Sequence, residues 1–105
     1  MGERSLGSGT ERLVERKVRG GKLFRLRVSL VEGKAKHVGL TGDFFLEPEG
    51  GIEVLEEALL EAYLSTDEAT ARWLIDEAAS GLTLTGFSSS DLVEALKEAG
   101  GCNGG

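Results

Sequence analysis

The residues of this chain that could do chemistry are few, and their spacing argues against a self-contained active site. His37 is the lone histidine, with no Ser, Cys or second His at a nucleophilic or metal-binding spacing. It reads as a solvated strand histidine. Cys102 is the lone cysteine, in the run Gly100-Gly101-Cys102-Asn103-Gly104-Gly105. One thiol can form neither an intramolecular disulfide nor a zinc site, and a glycine-rich tail does not offer the structured loop that a sulfur acceptor needs. Glu53, Glu56, Glu57 and Glu61 fall on the surface of a predicted helix and read as its solvated face. Gly20-Gly21 and Gly50-Gly51 fit neither GxxxxGK[ST] nor GxGxxG, so they read as turns rather than phosphate cradles. No catalytic, cofactor-binding or metal-binding residue is expected.

Two features are left. Arg25, Arg27 and His37 fall on one strand parity and would project a row of positive groups from one sheet face, either as a solvated surface or as a docking surface for an acidic partner. Gly42-Asp43-Phe44-Phe45 joins a permissive glycine, a short carboxylate and half of the chain's four phenylalanines. It marks a boundary in charge. Residues 1–43 hold ten Lys/Arg against five Asp/Glu, residues 44–105 hold two against thirteen, and the net charge is −6.

An acidic total argues against nucleic acid, which is bound by neutralising many phosphates. The chain has no run of about 18 apolar residues and no charged-then-apolar leader, so neither a membrane span nor a secretory signal is expected and the reading is cytoplasmic. With no Gln and one Asn, it is depleted in thermolabile amides, which suggests a thermophilic source. A length of 105 residues gives one domain with one modest core.

The elements that must position these groups follow from periodicity. Residues 1–10 are Gly/Ser-rich and read as a mobile leader, 11–99 as the folded domain, and 100–105 as a glycine-rich tail. Leu13 to Arg19 is a charged edge strand carrying Val14, Arg16 and Val18 on one parity, and Gly20-Gly21 turns the chain. In Phe24 to Leu30, four apolar residues alternate with Arg25, Arg27 and Ser29, giving a strand with one buried face. Lys34 to Thr41 follows, with Val38 and Leu40 inward and Ala35, His37, Gly39 and Thr41 outward.

A two-residue Glu32-Gly33 loop would mix the core face. A three-residue loop, Val31 to Gly33, is therefore expected, pairing Leu26 with Val38, Phe24 with Leu40 and Arg27 with His37. Continued parity sends Phe44 into the core and turns Asp43 and Phe45 outward with Arg25, Arg27 and His37. Unless a bulge buries both rings, Phe45 needs another molecule to cover it, because burying a phenylalanine is worth roughly 1.5–3 kcal/mol.

Helices take over after Pro48. Ile52 to Leu64 carries Ile52, Leu55, Leu59 and Tyr63 at near-helical spacing. Ser65-Thr66-Asp67-Glu68 has the form of a capping box for a helix from Asp67 to Ser80, with Ala69, Trp73 and Ala78 inward and Leu74 and Ile75 widening the stripe. Gly81 ends it, Leu82 to Phe87 is a short apolar link able to run extended, and Ser88-Ser89-Ser90-Asp91 caps a helix from Asp91 to Ala99 with Leu92, Val93 and Leu96 inward. The expected fold is α+β, a three-stranded antiparallel meander followed by about three helices packed on one sheet face in two layers.

At these residues the chain resembles a known family. The Gly20-Gly21-Lys22-Leu23 turn, the long strand, Glu32-Gly33-Lys34, Gly42-Asp43-Phe44-Phe45 with Glu47-Pro48-Glu49, Leu55-Glu56-Glu57-Ala58-Leu59 and Gly86-Phe87-Ser88 are similar to the accessory subunit of archaeal bipartite lipoate–protein ligases. That subunit is in turn similar to the C-terminal accessory domain of single-chain bacterial lipoate–protein ligases. The match runs from about Leu13 to Ala99.

The resemblance implies a non-catalytic subunit that works with a large subunit. The large subunit would bind ATP and lipoate, with Mg2+, and form lipoyl-adenylate, and the lipoyl group would then pass to a lysine of an acceptor domain. Gly42, Asp43 and Phe45, with Arg25, Arg27 and His37, would form the partner interface, and Phe44 the core of the motif. A small interaction module unrelated to lipoylation, paired with a second copy through its sheet face, is the alternative expectation.

Overall fold

The computed structural model describes residues 9–18, 22–48, 50–65 and 67–101. Strands β1 (Gly9–Lys17), β2 (Leu23–Val31) and β3 (Lys34–Gly42) form an antiparallel sheet in the order β1-β2-β3. Two three-residue strands, β4 (Phe45–Glu47) and β5 (Thr83–Thr85), make a second sheet, and the helices are α1 (Gly51–Leu64), α2 (Glu68–Ala79) and α3 (Ser89–Glu98). The α+β expectation holds, with the helices on one face of the main sheet; the second sheet is an addition, in which the Leu82–Phe87 link runs extended at β5 and pairs with β4.

Alternation builds the core. Phe24, Leu26, Val28 and Leu30 of β2 are buried, as are Val14 of β1 and Val38 and Leu40 of β3. Leu55, Leu59 and Ala62 of α1 meet them, α1 lying along β3 and α3 against β1. Ala71 and Ile75 of α2 close the core with Leu92, Val93, Ala95 and Leu96 of α3.

The β2–β3 register differs from the expected one. Glu32 and Gly33 form a two-residue turn with both φ positive, at 53° and 80°, the conformation whose twist matches paired strands. Val31 pairs with Lys34 and Leu30 with Ala35, and a bulge then shifts the pairing to Ser29–His37, Arg27–Gly39, Leu26–Leu40 and Phe24–Gly42. The extra residue, Lys36, supplies the parity change that the three-residue loop was to supply. Leu26 therefore faces Leu40 rather than Val38, Phe24 faces Gly42 rather than Leu40, and Arg27 does not face His37. Ala35, expected outward, is buried beside Val38 because the bulge turns both inward.

The helices bring three corrections. The N-cap of α2 is Asp67, whose carboxylate accepts from the Thr70 N–H at 2.6 Å, while Ser65 Oγ donates back to the Ala62 carbonyl. The expected Ser65–Glu68 capping box is not formed. Ala69 and Trp73 lie on the exposed side of α2, because α1 and α3 pack on the Ala71–Ile75 stripe. Helix α3 is capped within the expected Ser88–Asp91 run but starts at Ser89, two residues before the expected Asp91, because Ser88 is the N-cap and forms a reciprocal capping box with Asp91 at the third helical position.

The α3 C-terminus recruits residues assigned from sequence to the tail. Gly100, at φ 95°, donates to the Lys97 carbonyl and Gly101 to the Leu96 carbonyl, a Schellman motif. Arg12 Nη1 at 2.9 Å and the Tyr63 hydroxyl at 3.1 Å both donate to the Ala99 carbonyl, and Gly101 lies against the Tyr63 ring. At the other end β1 begins at Gly9, inside the expected leader. Residues 1–8 and 102–105, Arg19 and the Gly20-Gly21 turn lie outside the described residues.

Candidate functional site

The site begins where β3 must leave the sheet. Gly42 has φ 143°, and a Cβ there would meet the Leu23 carbonyl and, at 2.5 Å, Phe24 Cα, so no side chain fits. The Asp43 N–H donates to the Leu23 carbonyl at 2.7 Å, the last link to the sheet before the chain turns away.

Gly86 closes on the same segment from the far end of the sequence. At φ 108°, its Cβ position stands 3.1 Å from the Asp43 carbonyl oxygen and 3.3 Å from Phe44 Cα. The Phe44 ring, half-buried, lies 4.7 Å from the ring of Phe87 at 58°, and Phe87 lies 5.8 Å from the buried Phe24. Tilted ring pairs at such distances are favourable beyond their buried area. Three aromatic rings thus anchor the motif to the core.

Phe45 faces away from this anchor. It opens β4, opposite Thr85, while the next pair, Leu46 and Leu84, turns inward against the core. Its side chain is 72% exposed. Lys22, Gly42, Asp43, Phe44 and Phe45 line a shallow cleft of about 360 Å³.

The other expected interface residues lie on the outer face of the main sheet, but not as an uncompensated positive row. Arg25 Nε donates to Glu15, directly opposite on β1, and Arg27 lies 3.8 Å from Glu11 on the diagonal. The Arg25 guanidinium is held above its ordinary pKa by its hydrogen bond to Glu15, then by that carboxylate's charge, with Asp43 adding a smaller push. His37 sits opposite Ser29, away from Asp43. The structure thus gathers Gly42, Asp43, Phe44 and Phe45, places Arg25 opposite Thr41 two residues before Asp43, and leaves Arg27 and His37 farther along the sheet.

Three residues at these sites, Gly86, Phe87 and Glu56, give little signal in the sequence. Gly86-Phe87 stood out as a family-like run, but nothing local tied it to Phe44. Glu56, taken as solvated helix surface, accepts from the Leu40 N–H at 2.8 Å and so covers the open edge of β3. It shares a cleft of about 330 Å³ with Lys36, His37 and Glu53. Among the described residues, no group of three or more His, Cys, Asp or Glu is arranged to hold a metal ion, and no helix is long and apolar enough to cross a membrane.

No protein-family model and no curated protein matches the chain. A solved structure does: a chain from an archaeal lipoylation system of Thermoplasma acidophilum, comprising a bipartite lipoate protein ligase and its E2 lipoyl domain. The chain shares the fold of this lipoylation-system chain. The TM-score is 0.63 at 24% identity, over 84% of this chain and 96% of that one.

Proposed function

We propose that this chain is the non-catalytic accessory subunit of a two-component lipoate–protein ligase, required with a large subunit for ATP-dependent activation of lipoate to lipoyl-adenylate. The observation that carries this reading is the near end-to-end match to a chain from a bipartite lipoate protein ligase system, in which matched shares of 84% and 96% make the two chains similar in length. The family-like motifs point the same way, and so does an exposed phenylalanine next to a packed aromatic cluster, the kind of group that completes its burial against another protein.

In this reading ATP, lipoate and Mg2+ are held in the complex through the large subunit, and the lipoyl group goes on to a lysine of an acceptor domain. Phe45 is the docking side chain. Gly42 sets its exit from the sheet, Asp43 and Arg25 flank it with charge, and Arg27 and His37 extend the contact face.

The test is lipoyl-adenylate formation and acceptor-domain lipoylation by a candidate large subunit, with and without this chain. Activation that depends on this chain is expected. Equal adenylate formation without it would overturn the reading.

A further inference from the structure

We propose that the outer face of α2, centred on Trp73, is a docking surface for a cationic segment, one presenting Lys or Arg side chains. The proposal stands apart from the lipoylation reading, since α2 packs on α1 and α3 and Phe45 lies on the β4–β5 sheet. Trp73 is 61% exposed, although tryptophan is the largest apolar surface a side chain can bring to a core. Ala69 and Thr70, one turn before it, are exposed and small, leaving the indole accessible from that side. Asp76 and Glu77 stand one turn after it, at the i+3 and i+4 positions that share its face.

Charge selects the occupant. Asp76 and Glu77 occupy the last turn of α2, where the helix carbonyls already concentrate negative potential, and that turn holds no basic residue. Among the described residues neither carboxylate has an ion pair. Arg72, the helix's own cation, is drawn to Glu68 and to Ser90 Oγ at 3.0 Å, and Lys97 reaches Glu68 at the opposite end of α2. The two carboxylates and the negative end of the helix repel one another, and among the described residues no cation pairs with either carboxylate. Both carboxylates, the helix end and the indole attract a cation, the indole through its π face. A guanidinium or ammonium group from a partner is the complement to all of them at once.

Trp73 is the chain's single tryptophan, so its fluorescence reports on this face alone. The full chain is titrated with a tetra-arginine peptide, and with tetra-glutamate as the control. A saturable change in Trp73 emission is expected with tetra-arginine only, weakening at high salt as screening shortens the reach of the charges.

The pair Asp76→Asn/Glu77→Gln should weaken the interaction roughly tenfold, the loss of about one charge-assisted contact. Glu53→Gln/Glu57→Gln, which removes the same charge from α1, should leave it nearly unchanged. Calorimetric titration of Trp73→Ala should show weaker binding of the same peptide. No saturable change, equal weakening by the two double variants, or unaltered binding by Trp73→Ala would each overturn the proposal. Equal weakening would mean diffuse attraction to an acidic protein.

Discussion

The rings of Phe44 and Phe87 stand 4.7 Å apart, joining two motifs from opposite halves of the sequence into one mount for Phe45. The ring that anchors and the ring that is offered are adjacent in the chain. Their fates differ because the backbone leaves β3 at Gly42 and starts a new strand at Phe45.

Phe87→Ala should therefore cost about 3–5 kcal/mol of stability, as for a buried phenylalanine replaced by alanine. Phe45→Ala should shift stability by no more than about 0.5 kcal/mol while, in the proposed ligase, weakening large-subunit binding about tenfold or more. Denaturant titration of the isolated chain, paired with calorimetry of the complex, separates the two. A larger stability loss for Phe45→Ala would make it a core residue.

Glycines with positive φ should not respond alike to alanine. Gly33 has open space around its Cβ position, so Gly33→Ala should cost only the backbone term, about 1–2 kcal/mol. Gly42→Ala adds a collision with the backbone of Leu23 and Phe24 and should cost more than about 2 kcal/mol. Thermal melts of the two variants side by side provide the comparison.

The N-terminal end of α2 should be acid-sensitive. The Glu68 pKa is lowered by a hydrogen bond from Lys97 and its charge, with smaller help from Arg72; that of Asp67 is lowered by the backbone and then the side-chain hydrogen bond from Thr70. A carboxylate depressed in the folded state contributes stability that is fully present above its unfolded pKa, about 4.3 for Glu and 3.9 for Asp. That contribution is lost as pH falls through the lower folded value. Glu68→Gln and Asp67→Asn should each flatten the acid limb of a plot of denaturation midpoint against pH and leave its shape above about pH 6 unchanged.

Glu56 should protect one amide. Removing its carboxylate strips the Leu40 N–H of its acceptor at a sheet edge, so Glu56→Ala should cost about 1–2 kcal/mol. Hydrogen exchange at Leu40 should accelerate more than at Leu26, its partner inside the sheet, and Glu56→Gln should restore part of the protection.

Sequence and structure agree where a local pattern carries its own consequence. Strict alternation in β2 assigns Phe24, Leu26, Val28 and Leu30 to the core whatever they pair with, and Ser88 with Asp91 satisfies the first amides of α3 within a few residues. Trp73 shows the limit. A helical stripe broad enough to take in Trp73, Leu74 and Ile75 can be turned several ways, and only the positions of α1 and α3 select Ala71 and Ile75.

By itself, then, the amino-acid sequence determined the α+β order of elements, the buried face of each main-sheet strand at most positions, and the singling out of Gly42-Asp43-Phe44-Phe45. These rest on contacts between near neighbours. Tertiary structure alone decided the Lys36 bulge and the register it sets, the closing of Gly86 and Phe87 on Phe44, the tie between Glu56 and Leu40, and the exposure of Trp73. The Gly86–Phe87 and Glu56 contacts join segments distant in sequence, where no periodicity reaches; the bulge lies within one hairpin but depends on which rows the helices cover, and the exposure of Trp73 on where α1 and α3 pack.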